Sequence, residues 1–385
     1  MNKKLSRRQL LQAGSTLAGA PLLSGLAGLS AASGARAQSV AAAPAVRRFE
    51  PQLGPWRSFE LTLSVAVADA QGQTRLWLPL PDIESDYQSS LGHDWQGNAS
   101  ETRIVADPVQ GVRMLYAEFP AGEKAPVLRV TSRVRTRNRA EDWKAAAVHE
   151  DPAVLKFNLQ ATELVPVDGI VRKTALQATQ GAGGSDVEKT RAIYQWLVAN
   201  AHREPTVRGC GSGDVRTMLE TGNLGGKCAD LNAIFVGMCR SVGVPARDVY
   251  GVRVAPSAFG YRELGANPAS LKGAQHCRAE VFLKQYGWVA MDPADVLKVM
   301  RQETPEWIKD PANPLVAPVN KALFGSWEGN WVGYNTAHDI LLPGSRGKAS
   351  LPFLMYPQGE NASGRFDELA PDSFKYTISA KEIVA

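Results

Sequence analysis

In Gly225-Gly226-Lys227-Cys228-Ala229-Asp230-Leu231 a cysteine follows two glycines and heads an apolar-periodic run. A thiol at a helix N-terminus meets unpaired N–H groups and the positive end of the helix dipole, and both stabilise a thiolate. A free thiol with a pKa of about 8.5 is only a few per cent ionised at neutral pH, so a fall of about two units would make it mostly thiolate. Gly225 and Gly226 are expected to let the backbone turn sharply and to leave space around the sulfur. His276 and Asp292 lie downstream. Thiol, imidazole and carboxylate together form a nucleophilic set. The ring takes the thiol proton and returns it to a leaving amine, the carboxylate fixes the ring, and the Cys228 N–H can donate to the oxyanion of a tetrahedral intermediate. The competing reading is that Cys228 is a small buried hydrophobe, the common lot of free cysteines.

The elements that must position these groups are legible. From Cys228 a helix is expected to Val242. Leu231, Ile234, Phe235, Met238, Cys239 and Val242 keep helical spacing on one face, and Gly243 ends it. Two strand-like segments, Cys277–Leu283 and Trp288–Met291, are joined by Lys284-Gln285-Tyr286-Gly287, so His276 opens one and Asp292 closes the other. A plain tight hairpin would not set Asp292 directly opposite His276, so a bulge, twist or longer loop is expected between them. Upstream, Ser185-Asp186-Val187-Glu188 is a capping box opening a helix to about Ala201. Earlier still, Phe59, Leu61, Leu63, Val65 and Val67 alternate with small or polar residues. So do Leu76, Leu78 and Leu80; Val112, Met114 and Tyr116; and Leu128, Val130, Ser132 and Val134. These runs predict an antiparallel sandwich-like domain over 57–140. Arg129, Arg133, Arg135 and Arg137 share a face there, which would suit an anionic polymer but is read in preference as a solvated face of a half-buried sheet.

At four motifs the chain resembles the transglutaminase-like superfamily. They are Gly226-Lys227-Cys228, Gly243-Val244-Pro245-Ala246-Arg247, His276-Cys277-Arg278-Ala279-Glu280-Val281 and Gly287-Trp288-Val289-Ala290-Met291-Asp292-Pro293. The resemblance covers about 145–297. It implies an α+β fold with a papain-like core, Cys228 as nucleophile, His276 as base, Asp292 as orienter, and no obligatory cofactor. One departure stands out. Family members usually carry an aromatic residue two positions after the histidine, where this chain has Arg278, preceded by Cys277.

Composition narrows the partners. The formal charge of +5 comes wholly from Lys3, Lys4, Arg7, Arg8 and Arg36; removing these five leaves 38 basic residues against 38 acidic ones. With that balance the sequence pI near 9 carries no argument for nucleic acid, and none is expected as a partner. Ser6-Arg7-Arg8-Gln9-Leu10-Leu11 resembles the twin-arginine export motif, and Ala35-Arg36-Ala37 has the small-x-small form of a cleavage site. Pro21 and several glycines make the stretch between them a poor membrane span. The four cysteines, Cys210, Cys228, Cys239 and Cys277, show no zinc spacing. Cys228 and Cys239 are about 16 Å apart along one helix and cannot bond to each other. Cys210 is a candidate redox partner of the site or merely a loop cysteine. His338-Asp339 is a second His/Asp pair, with loop capping its expected role. Trp327 and Trp331 border a groove or form a satellite apolar cluster.

The expected organisation is a twin-arginine signal peptide at 1–37, a linker at 38–56, the antiparallel β domain at 57–140, the transglutaminase-like core at 141–298, and an irregular C-terminal extension at 299–385 packed on the core. The expected function is an exported, periplasmic cysteine enzyme acting on a protein, peptide or cell-wall peptide amide. It needs no cofactor or metal, binds no nucleic acid and keeps no membrane span after cleavage; the oligomeric state is left open. The alternative is an inactive periplasmic binding or scaffold protein of the same fold.

Overall fold

The first strand, β1 (Arg57–Ala66), buries Phe59, Leu61, Leu63 and Val65 while the residues between them stay partly exposed. Each such side chain contributes roughly 1.5–3 kcal/mol by leaving water. The computed structural model describes residues 47–68, 70–144, 147–370 and 374–383; the expected signal peptide and the first part of the linker lie outside them. After β1 come β2 (Thr74–Pro79), β3 (Gln88–Gly97), β4 (Glu101–Ala106), β5 (Arg113–Phe119), β6 (Val127–Thr136) and the short β7 (Arg139–Ala140). The expected alternation on β6 is present. Leu128, Val130, Ser132 and Val134 are buried, and Arg129, Arg133 and Arg135 are exposed. Arg133 pairs with Asp94, and Arg135 and Arg137 lie over the Trp56 ring at 4.8 and 4.7 Å.

Next come α1 (Pro152–Phe157), α2 (Gly169–Ala178), α3 (Asp186–Asn200), β8 (His202–Arg203), α4 (Val215–Thr221), β9 (Gly225–Gly226), α5 (Cys228–Ser241), β10 (Ala246–Arg253), β11 (Gln275–Leu283), β12 (Gly287–Met291) and α6 (Pro293–Gln302). The Ser185 capping box is formed in both directions. In α5 the expected apolar stripe is present, but the helix is buried on every side. Its polar side chains are therefore hydrogen-bonded. Arg240 donates to Ala246 O at 2.7 Å and Gln160 O at 3.0 Å, and Ser241 to Met238 O.

The last segment adds α7 (Ala317–Ala322), β13 (Ser326–Trp327), β14 (Trp331–Asn335), β15 (Gln358–Asn361), β16 (Gly364–Arg365) and β17 (Lys375–Ile383). Of these, β15 and β17 enter sheets begun some three hundred residues earlier, beside β2 and β1, and β14 joins β10. One four-stranded sheet has the order β17-β1-β6-β3, a five-stranded sheet β16-β15-β2-β5-β4, and the core sheet β12-β11-β10-β14. Within these three sheets all the pairings are antiparallel. Buried residues of all three share one apolar cluster. The end of the expected linker is built into it: Phe49 is buried, with its ring 5.0 Å from Phe259 and 5.7 Å from Tyr261. Among the described residues no helix is long and apolar enough to cross a membrane.

Candidate active site

Three elements converge on the site: the N-terminus of α5, the start of β11, and the junction of β12 with α6. The structure brings Cys228, His276 and Asp292 together there. All three are buried, and Cys228 and His276 line one cavity of about 220 Å³.

The α5 N-terminus is held by Asp230. One carboxylate oxygen accepts from Ser212 N and Gly213 N, both at 2.9 Å, and the other from Lys227 N at 3.0 Å. The expectation for Gly225 and Gly226 needs correcting. Neither has positive φ, and the space they leave is not at the sulfur. A Cβ on Gly226 would meet Asp230 Cβ at 2.6 Å, and one on Gly225 would meet the His202 ring at 2.6 Å. The glycines admit the side chain that anchors the helix and the neighbouring bridge to β8. The Ala229 N–H is taken by Cys210 O at 2.9 Å. No acceptor is found for the Cys228 N–H among the described residues, which leaves it as a first-turn donor.

The hairpin also differs from expectation. The β11/β12 ladder runs regularly from Leu283 opposite Gly287 to Ala279 opposite Met291. One step further, Asp292 faces Arg278, and His276 is its diagonal neighbour on the same face. Diagonal cross-strand neighbours are within reach of long side chains, so no bulge is needed. His276 Nε2 lies 2.7 Å from Asp292 Oδ2 and 3.3 Å from Asp295 Oδ2. With Nε2 committed to carboxylates, Nδ1 is the nitrogen left for the thiol. Asp292 also caps α6, where its Oδ1 accepts from Asp295 N at 3.1 Å.

Charge is balanced tightly. Arg253 donates to both oxygens of Asp295, and Arg278 Nε is 3.6 Å from Asp292 Oδ2. The Arg278 guanidinium lies over Trp331 at 4.7 Å and Trp327 at 5.2 Å. Trp331 Nε1 also donates to His276 O at 3.0 Å. The unusual arginine after the histidine therefore backs the site as an aromatic-held cation. His276, Asp292 and Asp295 each place a ligand-type atom within 4.8 Å of the others, but the two guanidiniums already supply positive charge there.

Burial and the Arg253 charge press the His276 pKa down, while Asp295, Asp292 and the hydrogen bond to Asp292 press it up. The result is a rise from 6.5 to about 9. Cys228 is held well below the ordinary thiol value by contacts with Cys210 and Cys277, then, against burial, by His276. Burial raises the Asp292 pKa, with Asp295 adding to it. The Asp295 carboxyl is held well below its ordinary range, against burial, by Arg253 and His276. Both shifts move the pair towards thiolate and imidazolium.

Sequence reasoning missed Asp295, Arg253 and Asn232. Asn232 Nδ2 donates to Cys277 O at 2.8 Å and lies 3.5 Å from Asp292 Oδ1. Asp295 carried a signal: an acid three residues after an Asp-Pro helix start occupies the first turn. Two family positions prove to pair with each other, since Arg247 Nε donates to Glu280 Oε2 at 2.6 Å directly across the ladder. Cys210 approaches Cys228 and remains a free thiol, its Sγ 3.4 Å from Gln275 O. His338 pairs with Asp248 at 3.1 Å instead of Asp339, which accepts from Glu163 N at 3.0 Å.

Residues 172–293 match the family described as the transglutaminase-like superfamily. A Haemophilus influenzae protein (strain ATCC 51907 / DSM 11121 / KW20 / Rd) described as "Uncharacterized protein" is 34% identical over 329 residues, which is 82% of this chain and 88% of that protein. The chain belongs to the transglutaminase-like superfamily. Among solved structures, a Cytophaga hutchinsonii protein described as a "Putative Cysteine Protease" is similar over 86% of this chain and 99% of its own, with 13% identity and a TM-score of 0.47. The periplasmic domain of TgpA from Pseudomonas aeruginosa is similar over 70% of this chain and 77% of its own, with 20% identity and a TM-score of 0.32.

Proposed function

We propose that this protein is an exported, cysteine-dependent acyl-transfer enzyme that forms a thioester at Cys228 from a peptide or glutamine amide. One observation carries the reading: a cysteine at the N-terminus of a buried helix shares a cavity with a histidine whose far nitrogen is held 2.7 Å from a carboxylate. The Cys228 thiolate attacks the amide carbon, and the C–S bond forms as the carbonyl π electrons move to oxygen. The Cys228 N–H donates to that oxyanion. Protonated His276 passes its proton to the nitrogen as the C–N bond breaks, releasing ammonia or an amine. In hydrolysis, the preferred outcome here, neutral His276 then takes a proton from water, which attacks the thioester and frees a carboxylic acid and the thiol. An amine in place of water gives a crosslinked amide.

An inert scaffold has no use for this set. Buried charges are expensive unless paired, and the site gathers two carboxylates, two guanidiniums and an imidazole. The leader motif supports a periplasmic location reached by the twin-arginine route. Incubation with a periplasmic peptide extract, followed by hydroxylamine, tests the reading. The wild type should carry a mass adduct on Cys228 before hydroxylamine is added and yield hydroxamates as hydroxylamine breaks the thioester and frees the thiol, and Cys228→Ser should give neither. Undiminished hydroxamate from Cys228→Ser would overturn it.

A further inference from the structure

The cavity beside Cys228 has an electrostatic character that the thioester chemistry does not require. Its lining includes four cations, Arg203, Arg253, Lys272 and Lys298, and no carboxylate. Two are compensated from behind the wall: Arg253 by Asp295, and Lys298 by Glu263 at 3.4 Å. The other two are not. Arg203 Nε meets only the neutral Gln302 amide at 3.0 Å, and Lys272 Nζ lies 5.0 Å from the Tyr376 ring centroid. Among the described residues no carboxylate pairs with either.

Like charges gathered around one cavity repel one another, and two neighbouring amines are shifted in the direction this predicts. Lys298 is pressed down to about 8, by burial first and then by Arg253. Lys227, next to the nucleophile, is also lowered, by burial and then by Arg203. The cavity is small: about 220 Å³ holds roughly seven waters at bulk density, so it fits a residue-sized group.

We propose that this cavity is an anion subsite, in which Arg203 and Lys272 receive an oxyanion group, carboxylate or phosphate, carried beside the amide that Cys228 attacks. Unpaired cations in a walled cleft concentrate anions there and discriminate against neutral isosteres. A guanidinium offers planar two-point binding, and an ammonium adds a mobile point charge. The inference rests on the reading of Cys228 as the nucleophile, and names the substrate class for that site.

Paired alkylating reagents test it. Iodoacetate and iodoacetamide make nearly the same adduct on a thiolate with loss of iodide, and differ in the charge that approaches. Each rate at Cys228 is read by mass spectrometry, and the iodoacetate/iodoacetamide ratio is compared with that for N-acetylcysteine at the same pH. The expected ratio is about tenfold higher for Cys228. It should fall severalfold in Arg203→Gln and in Lys272→Gln, and collapse in 1 M salt. Lys272 is exposed, so its variant folds even where the Arg203 variant does not. Glutarate and inorganic phosphate, each competing with iodoacetate, separate the two sources by which protects at the lower concentration. A ratio equal to that of N-acetylcysteine overturns the anion subsite and leaves the nucleophile standing. No labelling of Cys228 by either reagent overturns the nucleophile, and this inference with it.

Discussion

Helix α5 carries a cysteine near each end, and the two ends behave in opposite ways. Cys228 and Cys239 are both buried, at 2% and 0% exposure, so burial does not separate them. At the C-terminal end burial acts alone, apart from Arg240, and raises the Cys239 thiol far above its ordinary value. At the N-terminal end the same burial is outweighed by the thiols of Cys210 and Cys277 and by His276. A low-dielectric setting amplifies whichever partners are present. The two His/Asp pairs teach the same lesson. His338 and Asp248 are as buried as His276 and Asp292, but no cysteine thiol is found among their described contacts.

The largest expected effect breaks the comparison between the two thiols. Iodoacetamide at neutral pH should modify Cys228 at least about 10³ times faster than Cys239, because only the former has an appreciable thiolate fraction. His276→Ala should slow Cys228 and leave Cys239 unchanged, as peptide mass mapping over a time course would show. Next, Arg253→Ala strands Asp295 in the interior and should destabilise the fold by about 3–5 kcal/mol in urea denaturation. Asp230→Ala removes three hydrogen bonds at the active end of α5. It should cost about 2 kcal/mol and slow Cys228 labelling, whereas Ser185→Ala at α3 should cost about 1 kcal/mol and leave labelling alone.

The mildest test is the alkaline limb. His276 has a folded-state pKa of about 9 against an ordinary 6.5. Its contribution to stability is therefore complete below about 6.5 and is lost as pH rises through about 9. Denaturation midpoints between pH 6 and 10 should fall more steeply for the wild type than for His276→Gln. Amide turnover should decline over the same range as the imidazolium that protonates the leaving amine disappears.

Much of this is legible in the sequence where the signal is local. The apolar alternation of β1 and β6, the Ser185 cap and the length of α5 follow from neighbouring residues, whereas β2 and β5 are buried on both faces, so the alternation expected of them is not seen in their burial. Strand β3 is not legible, because most of Gln88–Gly97 stays at least partly exposed and carries no apolar period. The C-terminal strands are not legible either, since β17 finds its partner β1 across some three hundred residues. The site divides in the same way. Cys228, His276 and Asp292 sit at element ends marked by glycine, proline and periodicity. Arg253 meets Asp295 forty-two residues away, and Arg278 meets Trp331 through the order of the core sheet. Such pairings belong to tertiary structure alone. Trp327 and Trp331 read as a groove edge or a satellite cluster, because composition does not show that their indoles donate to Met291 O and His276 O behind the site.

The central claim is that Cys228 is a thiolate paired with an imidazolium in the resting protein. The most direct measurement is the pH dependence of Cys228 alkylation by iodoacetamide, from pH 4 to 10, in the wild type and in His276→Ala. The structure predicts a wild-type midpoint well below the 8.5 of a free thiol, and a higher midpoint in the variant. A wild-type midpoint at or above 8.5, unmoved by loss of the histidine, would contradict the account.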